Sequence, residues 1–163
     1  MSSGPLSRVI CLLLAFGIAD TTIADDWPQL LGKSRNGTSA ESGLIDRIPD
    51  YGIPVIWRAA GGVGMSAVAV SDGLAISSWN KGGKQMLVAM NAQTGETVWK
   101  TAIATAYKNG MGDGPRATPT IDRGAVYMLT GDGILCSADL LTGRLNWQVD
   151  TPNRFKVQPS EYG

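Results

Sequence analysis

The chain has 163 residues, 14 basic and 14 acidic side chains, and no histidine. Balanced charge argues against a nucleic-acid binder held by a broad basic face and against an acidic tail, and the missing imidazole removes His triads, His general bases and His metal ligands. Apolar residues make up 44%, ordinary for a globular chain, while 21 glycines and five tryptophans point to many short strands joined by tight turns.

The first element is an apolar run, VICLLLAFGIA (Val9–Ala19), preceded by Arg8 and too short to span a bilayer. Small residues follow at Thr22–Ala24. Residues 1–24 therefore read as a secretory signal peptide cut after Ala24, with Gly17–Ala19 as a second cut candidate. Cys11 lies at the start of the run, not at its end, so no lipoprotein is predicted. The mature chain would be secreted or periplasmic, without a stable membrane span. It keeps one cysteine, Cys136, which leaves no intramolecular disulfide. Within GILCSADL that cysteine reads as a buried small hydrophobe.

Residues 25–65 form an N-terminal segment that ends in GGVGMS (61–66). This stretch lacks the third glycine of a dinucleotide fingerprint and reads as a loop entering the first strand. Four strands are then expected at Ser66–Ser71, Leu74–Trp79, Gln85–Asn91 and Thr97–Ile103. Four more are expected at Ala117–Asp122, Ala125–Thr130, Gly133–Leu140 and Leu145–Asp150. The turns SDG and DRG place Gly73 and Gly124 where φ is positive. No stretch after residue 24 carries sustained helical periodicity.

The two sets of strands are copies. NAQTGETVW (91–99) and DLLTGRLNW (139–147) share the form Asn/Asp-x-x-Thr-Gly-x-x-x-Trp, 48 positions apart. Upstream, 67–76 lies on 118–127 with an offset of 51, and the difference falls in the hairpin tip SSWNKGGKQ. Asn91 or Asp139 can accept backbone N–H bonds to close the turn, helped by Thr94 or Thr142. Gly95 or Gly143 supplies the positive φ. A tryptophan buries roughly 150–250 Å², more than one small sheet can cover, so Trp57, Trp99 and Trp147 are expected to lie between consecutive units. Four antiparallel strands every 40 to 50 residues or so is the period of a propeller blade. The expected fold is all-β, a partial β-propeller of about two four-stranded antiparallel blades plus an N-terminal strand. The expected divisions are 66–103 for the first blade and 104–150 for the second.

Ala89–Trp99 and Ser137–Trp147 resemble the signature of the pyrroloquinoline-quinone-type (PQQ-like) β-propeller repeat. DWPQLLGKSRNGTSAESGL (26–44), IPVIWRA (53–59) and GPRATPTIDRGAVYMLTGDGILCSAD (114–139) are similar to secreted bacterial members of that family. Asn91 stands where the repeat usually has Asp, and Ser137 where it usually has Ala. The resemblance implies the eight-bladed quinoprotein-like type of ring, with the tryptophan docked between blades. It also makes 53–59 the outer strand of a ring-closing blade, and 151–163 the start of a further blade, so that the chain reads as an N-terminal fragment. Uncovered blade faces would make such a chain marginally stable and prone to aggregate.

Quinone-dependent dehydrogenases share this fold, but they use a vicinal Cys–Cys pair, a calcium ion held by acidic and amide side chains, and a catalytic Asp. None of these can be placed here. GDGP (112–115) and Asp132 read as turn chemistry, since the alternating acids of a calcium loop are missing. NGT (36–38) is a formal glycosylation sequon. Lys108, Asn109, Asp113 and Arg116 precede an inner strand and read as solvated loop residues rather than a binding rim. No catalytic, cofactor-binding or metal-ligating residue is assigned, and no cofactor. The expected function is a non-catalytic binding or assembly scaffold, with an unknown protein or small-molecule ligand on the propeller face. A related family member helps assemble outer-membrane proteins. The alternative is a fragment of a quinoprotein, a PQQ- and calcium-dependent alcohol or sugar dehydrogenase.

Overall fold

The computed structural model describes residues 24–158. The apolar run Val9–Ala19 and Cys11 lie outside the described residues, as does the end of the segment 151–163. Eight strands follow in order: β1 Ala69–Ser71, β2 Leu74–Lys81, β3 Lys84–Asn91, β4 Thr97–Thr105, β5 Thr120–Asp122, β6 Ala125–Leu129, β7 Ile134–Asp139 and β8 Leu145–Asp150. They make two four-stranded antiparallel meanders, β1-β2-β3-β4 and β5-β6-β7-β8. Each sheet is one wedge of a partial β-propeller.

Local chemistry sets these boundaries. Asp72–Gly73 (φ 50° and 72°) and Arg123–Gly124 (48° and 74°) are two-residue turns with both φ values positive, the twist that suits a tight antiparallel hairpin. Gly82 and Gly83 (58° and 73°) make the tip between β2 and β3 in the same way. With the reversal confined to two glycines, β2 runs on to Lys81 and β3 begins at Lys84.

The register aligns equivalent rows across the two sheets. In the first, Ala69 faces Ile76, Ile76 faces Ala89 and Ala89 faces Trp99. In the second, the row is Thr120, Tyr127, Ser137 and Trp147. The first row is sealed, with Trp99 only 8% exposed. The core joins it to Leu74, Leu87 and Ile103 from the first sheet and to Ile121, Val126, Met128, Cys136, Ala138 and Leu140 from the second. That single cluster spans the gap between sheets, so the hydrophobic contribution to stability lies largely in their stacking.

Three features depart from the sequence expectations. Residues 52–62 form no hydrogen-bonded strand. Residues 27–28 instead act as a strap. Trp27 exchanges both backbone hydrogen bonds with Val70 at 2.9 Å, and Pro28 O accepts from Ile121 N at 2.8 Å, tying the inner strands β1 and β5 together. Finally, the chain past β8 turns into a short helix, α1 Thr151–Phe155. Asp150 caps it, its carboxylate accepting from Asn153 N at 2.9 Å, with a proline in the first turn and Lys156 in the left-handed conformation at its end. Acceptor, proline and left-handed exit suffice for one helical turn, which is too short to show a period.

Candidate functional site

The best-built feature of the molecule is a slot for an indole, and it occurs twice. Its floor is the Asx-x-x-Thr-Gly turn. Asn91 Oδ1 accepts from Gln93 N at 2.8 Å and from Thr94 N at 3.0 Å, and Gly95 N donates to Asn91 O at 2.8 Å. Asp139 Oδ1 accepts from Thr142 N at 2.9 Å and from Thr142 Oγ1 at 2.7 Å, and Gly143 N donates to Asp139 O at 2.9 Å. The threonine hydroxyl bonds hold the Asp139 carboxyl below its ordinary value of 3.8, with the Thr142 amide adding to the effect.

Each turn carries the tryptophan of the unit before it. Trp99, on β4, donates its indole N–H to Leu140 O at 2.8 Å, and its ring covers Gly143. A Cβ at Gly143 would stand 2.5 Å from Trp99 Cδ2 and Cε3. Trp57 repeats the arrangement one unit earlier, donating to Ala92 O at 2.9 Å and lying over Gly95, where a Cβ would stand 2.5 Å from its Cε3. The two glycines thus have two reasons to be glycine: φ near +70° (74° and 69°) and an aromatic plane at contact distance. Polar bonds flank the buried indole. Thr101 Oγ1 donates to Gly143 O at 2.6 Å, Gln148 Nε2 to Ile103 O at 2.8 Å, and the fully buried Gln85 Nε2 to Asp132 Oδ1 at 2.9 Å. Trp147 occupies the position of Trp99 but is 43% exposed, its ring tilted 50° against that of Tyr127 with centroids 6.2 Å apart. The expectation of tryptophans between units holds for Trp99, while Trp57 lies over the Gly95 turn from a stretch that belongs to neither sheet. Trp147 meets no third sheet among the described residues.

The residues weighed as a rim lie in the loop between β4 and β5. Lys108 and Asp113 are exposed, as expected of solvated loop residues, whereas Asn109 and Arg116 are half-buried. The loop is pinned. Asn80 donates to Tyr107 O at 2.7 Å and accepts from Tyr107 N at 3.2 Å, and Asn109 Nδ2 donates to the Tyr107 hydroxyl at 2.9 Å. Arg116 Nη2 donates to Gly112 O at 2.9 Å, and its guanidinium sits 5.8 Å from the Tyr107 ring centroid. The Tyr107 ring in turn leaves no room for a side chain at Gly131, where a Cβ would stand 2.8 Å from its Cε1 and Cζ. Together these contacts make a second brace between sheets. Gly61 and Gly62 pass close over Trp79 and Asn80, and Val63 bridges to Asn80, which accounts for the glycines of GGVG as a close backbone crossing. Asn80, Gln85 and the Tyr107–Gly131 contact escaped the sequence reading. The available signal was a facing pair of uncharged polar residues, Asn80 and Gln85, one step in from the lysines at the hairpin tip.

Chemistry-bearing groups are sparse. Burial pushes the Cys136 thiol up to about 11, so it stays protonated and inert. Among the described residues no three His, Cys, Asp or Glu side chains gather to hold a metal ion, and Cys136 is the free cysteine. An open cleft of about 680 Å³ lies between the N-terminal strap and the inner strands, lined by Asp26, Lys33, Arg35, Asp72, Arg123 and Tyr127 among others. Its charges are of both signs. No helix among the described residues is long and apolar enough to cross a membrane.

Among solved structures, BamB from Moraxella catarrhalis is similar at 25% identity and a TM-score of 0.38, covering 55% of this chain and 24% of its own. A europium-containing methanol dehydrogenase is 19% identical with a TM-score of 0.41, over 51% of this chain and 14% of that one. The quinohemoprotein alcohol dehydrogenase ADHIIG from Pseudomonas putida HK5 is 23% identical with a TM-score of 0.40, over 54% and 13%. This chain thus spans about a quarter or less of the length of each. No curated protein matches it. The family model described as "Outer membrane protein assembly factor BamB" matches residues 53–160, the stretch that holds both sheets and both indole slots. The chain belongs to that family of PQQ-like repeat proteins.

Proposed function

We propose that this chain is a non-catalytic, extracytoplasmic scaffold that binds protein partners by sheet stacking. In this reading residues 66–103 and 104–150 are two blades. The observation that carries the proposal is the side of the second sheet that no other sheet covers among the described residues. It corresponds in register to the side of the first sheet that the second sheet seals, sharing the tryptophan and a leucine (Trp99 and Leu87 there, Trp147 and Leu135 here), and it presents Trp147, Leu129 (50% exposed) and the half-buried Tyr127, Leu135 and Val149. Apolar side chains aligned on one preformed sheet face are a recognition surface. The family's description, an outer membrane protein assembly factor, is in keeping with a partner that is itself a protein and with a location beyond the cytoplasm. The absence of histidine from the sequence removes the commonest general base.

The test is calorimetric titration of the purified chain with pyrroloquinoline quinone and Ca²⁺, together with a dye-linked assay of alcohol and sugar oxidation. The expected result is no saturable quinone binding and no turnover. Saturable binding with turnover would replace the scaffold by a quinoprotein dehydrogenase.

A further inference from the structure

Residues 25–28 are each tied to a different point of the molecule. Asp25 N donates to Glu41 Oε1 at 2.8 Å, and Asp26 Oδ2 accepts from the Ser71 hydroxyl at 2.8 Å. Trp27 pairs with Val70, and Pro28 O accepts from Ile121 N. The acceptor of the first bond is itself held in place. Asn36 Oδ1 accepts from Thr38 N at 3.1 Å and from Thr38 Oγ1 at 2.7 Å, and Glu41 N donates to Ser39 Oγ at 3.1 Å. The half-buried Glu41 thus stands at the end of two turns closed by side chains. Ala24, one residue before Asp25, is exposed and makes no hydrogen bond among the described residues. Among those residues the anchoring of the strap begins at Asp25.

Asp25 is also the residue that a cut guided by the small side chains of Thr22 and Ala24 leaves first. We propose that a leader peptidase hydrolyses the Ala24–Asp25 peptide bond, and that the new Asp25 ammonium pairs with Glu41 and locks the strap across both sheets. This inference rests on the extracytoplasmic reading above. The step consumes one water. The C–N bond breaks, the Ala24 carbonyl becomes a carboxylate on the released leader, and the Asp25 nitrogen takes up the protons as an ammonium. Before the cut, Asp25 N offers Glu41 one neutral donor. Afterwards it offers three donors and a full charge, and charge-assisted bonds are about twice as strong as neutral ones. The other charges around the site are the Asp25 and Asp26 carboxylates and Lys33, which line one open cleft of about 510 Å³. Together with Glu41 the carboxylates outnumber the lysine, and none of these groups forms an ion pair among the described residues, so the surroundings favour a cation at Asp25 N. A cut after Ala19 would put the amine on Asp20 and leave the neutral amide facing Glu41.

The test starts from the full chain, expressed in a bacterium with its own residues 1–24. Mass spectrometry of the exported protein should find Asp25 at the N-terminus. The acylation rate of that α-amine, followed against pH by the same method, should have its midpoint about half a pH unit or more above the ~7.7–8.0 of a free α-amine. Glu41→Gln keeps the shape of the side chain and removes its charge. It should lower the midpoint by about half a pH unit and raise the rate at pH 7 about threefold. A chain that begins at Asp20 has the same first residue with its amine five positions away, and it serves as the reference even if Glu41→Gln misfolds. Its midpoint should lie below that of the Asp25 chain and should not respond to Glu41→Gln. An exported protein that begins at Asp20, equal midpoints in the two chains, or an Asp25 midpoint unmoved by Glu41→Gln would each overturn the inference while leaving the extracytoplasmic reading intact. A chain kept in the cytoplasm with residues 1–24 attached would remove that reading and the inference with it.

Discussion

Gly143→Ala isolates the physical idea on which the interface depends. Two costs fall on the substituted side chain. One is the left-handed backbone, φ +69°, which an alanine adopts at a cost of about 1 kcal/mol. The other is collision: the new Cβ would stand 2.5 Å from Trp99 Cδ2 and Cε3 and 2.9 Å from Thr101 Oγ1. The indole cannot slide away freely, since it is 8% exposed and bonded to Leu140 O. Overpacking of this kind costs about 1–3 kcal/mol, so the sum is about 2–4 kcal/mol against a domain stability of only ~5–15 kcal/mol. Gly124→Ala is the matched control. It has φ +74° and nothing within 4 Å of the added Cβ, and therefore bears only the backbone cost of about 1 kcal/mol. Urea denaturation followed by tryptophan fluorescence measures both, with the m-value checking that the unfolded states remain comparable. If Gly143→Ala costs no more than Gly124→Ala, the indole does not sit against the glycine and the slot is refuted.

Trp99→Phe keeps the aromatic stack but leaves Leu140 O without its donor, which should cost about 1–3 kcal/mol in the same denaturation assay; Trp57→Phe, at a half-buried site, should cost less. The two turns should also part company in acid. The Asp139 carboxyl is held below 3.8 by Thr142, so its contribution is complete above that value and is lost as pH falls through the lowered folded value. Asn91 does not titrate, so Thr142 amide shifts followed by NMR should move below pH 3.8 while those of Thr94 stay still, and parallel movement of both would contradict the assignment. Cys136, buried and with its thiol raised to about 11, should resist thiol reagents at pH 8 in the native protein and react fully in denaturant.

What could be read ahead of the structure was what is settled over short distances. The strands lie within a few residues of expectation because Asp72–Gly73, Arg123–Gly124 and the Asx-x-x-Thr-Gly turns each close their own hairpin with their own backbone and side chains. The tryptophans were legible for a different reason. An indole is too large for one four-stranded sheet, so repetition alone implies a neighbour. The floor of the slot was not legible, because Gly143 already had a sufficient explanation in its positive φ. A residue that satisfies two constraints at once shows only the first to a sequence reading, and the second emerges when Trp99, 44 positions earlier, is seen lying on it. The Trp27–Pro28 strap and the Asn80–Tyr107 brace have no periodicity and no repeated partner, so nothing local announces them. Yet they answer a need that the repeat itself creates. Identical wedges specify how sheets stack but not at what distance their inner edges stop, and the bonds from Trp27 to Val70 and from Ile121 to Pro28 fix that edge. The non-repeating residues therefore set the geometry that the repeating ones leave open, and for that reason the stacking was predictable from the pattern while the strap was not.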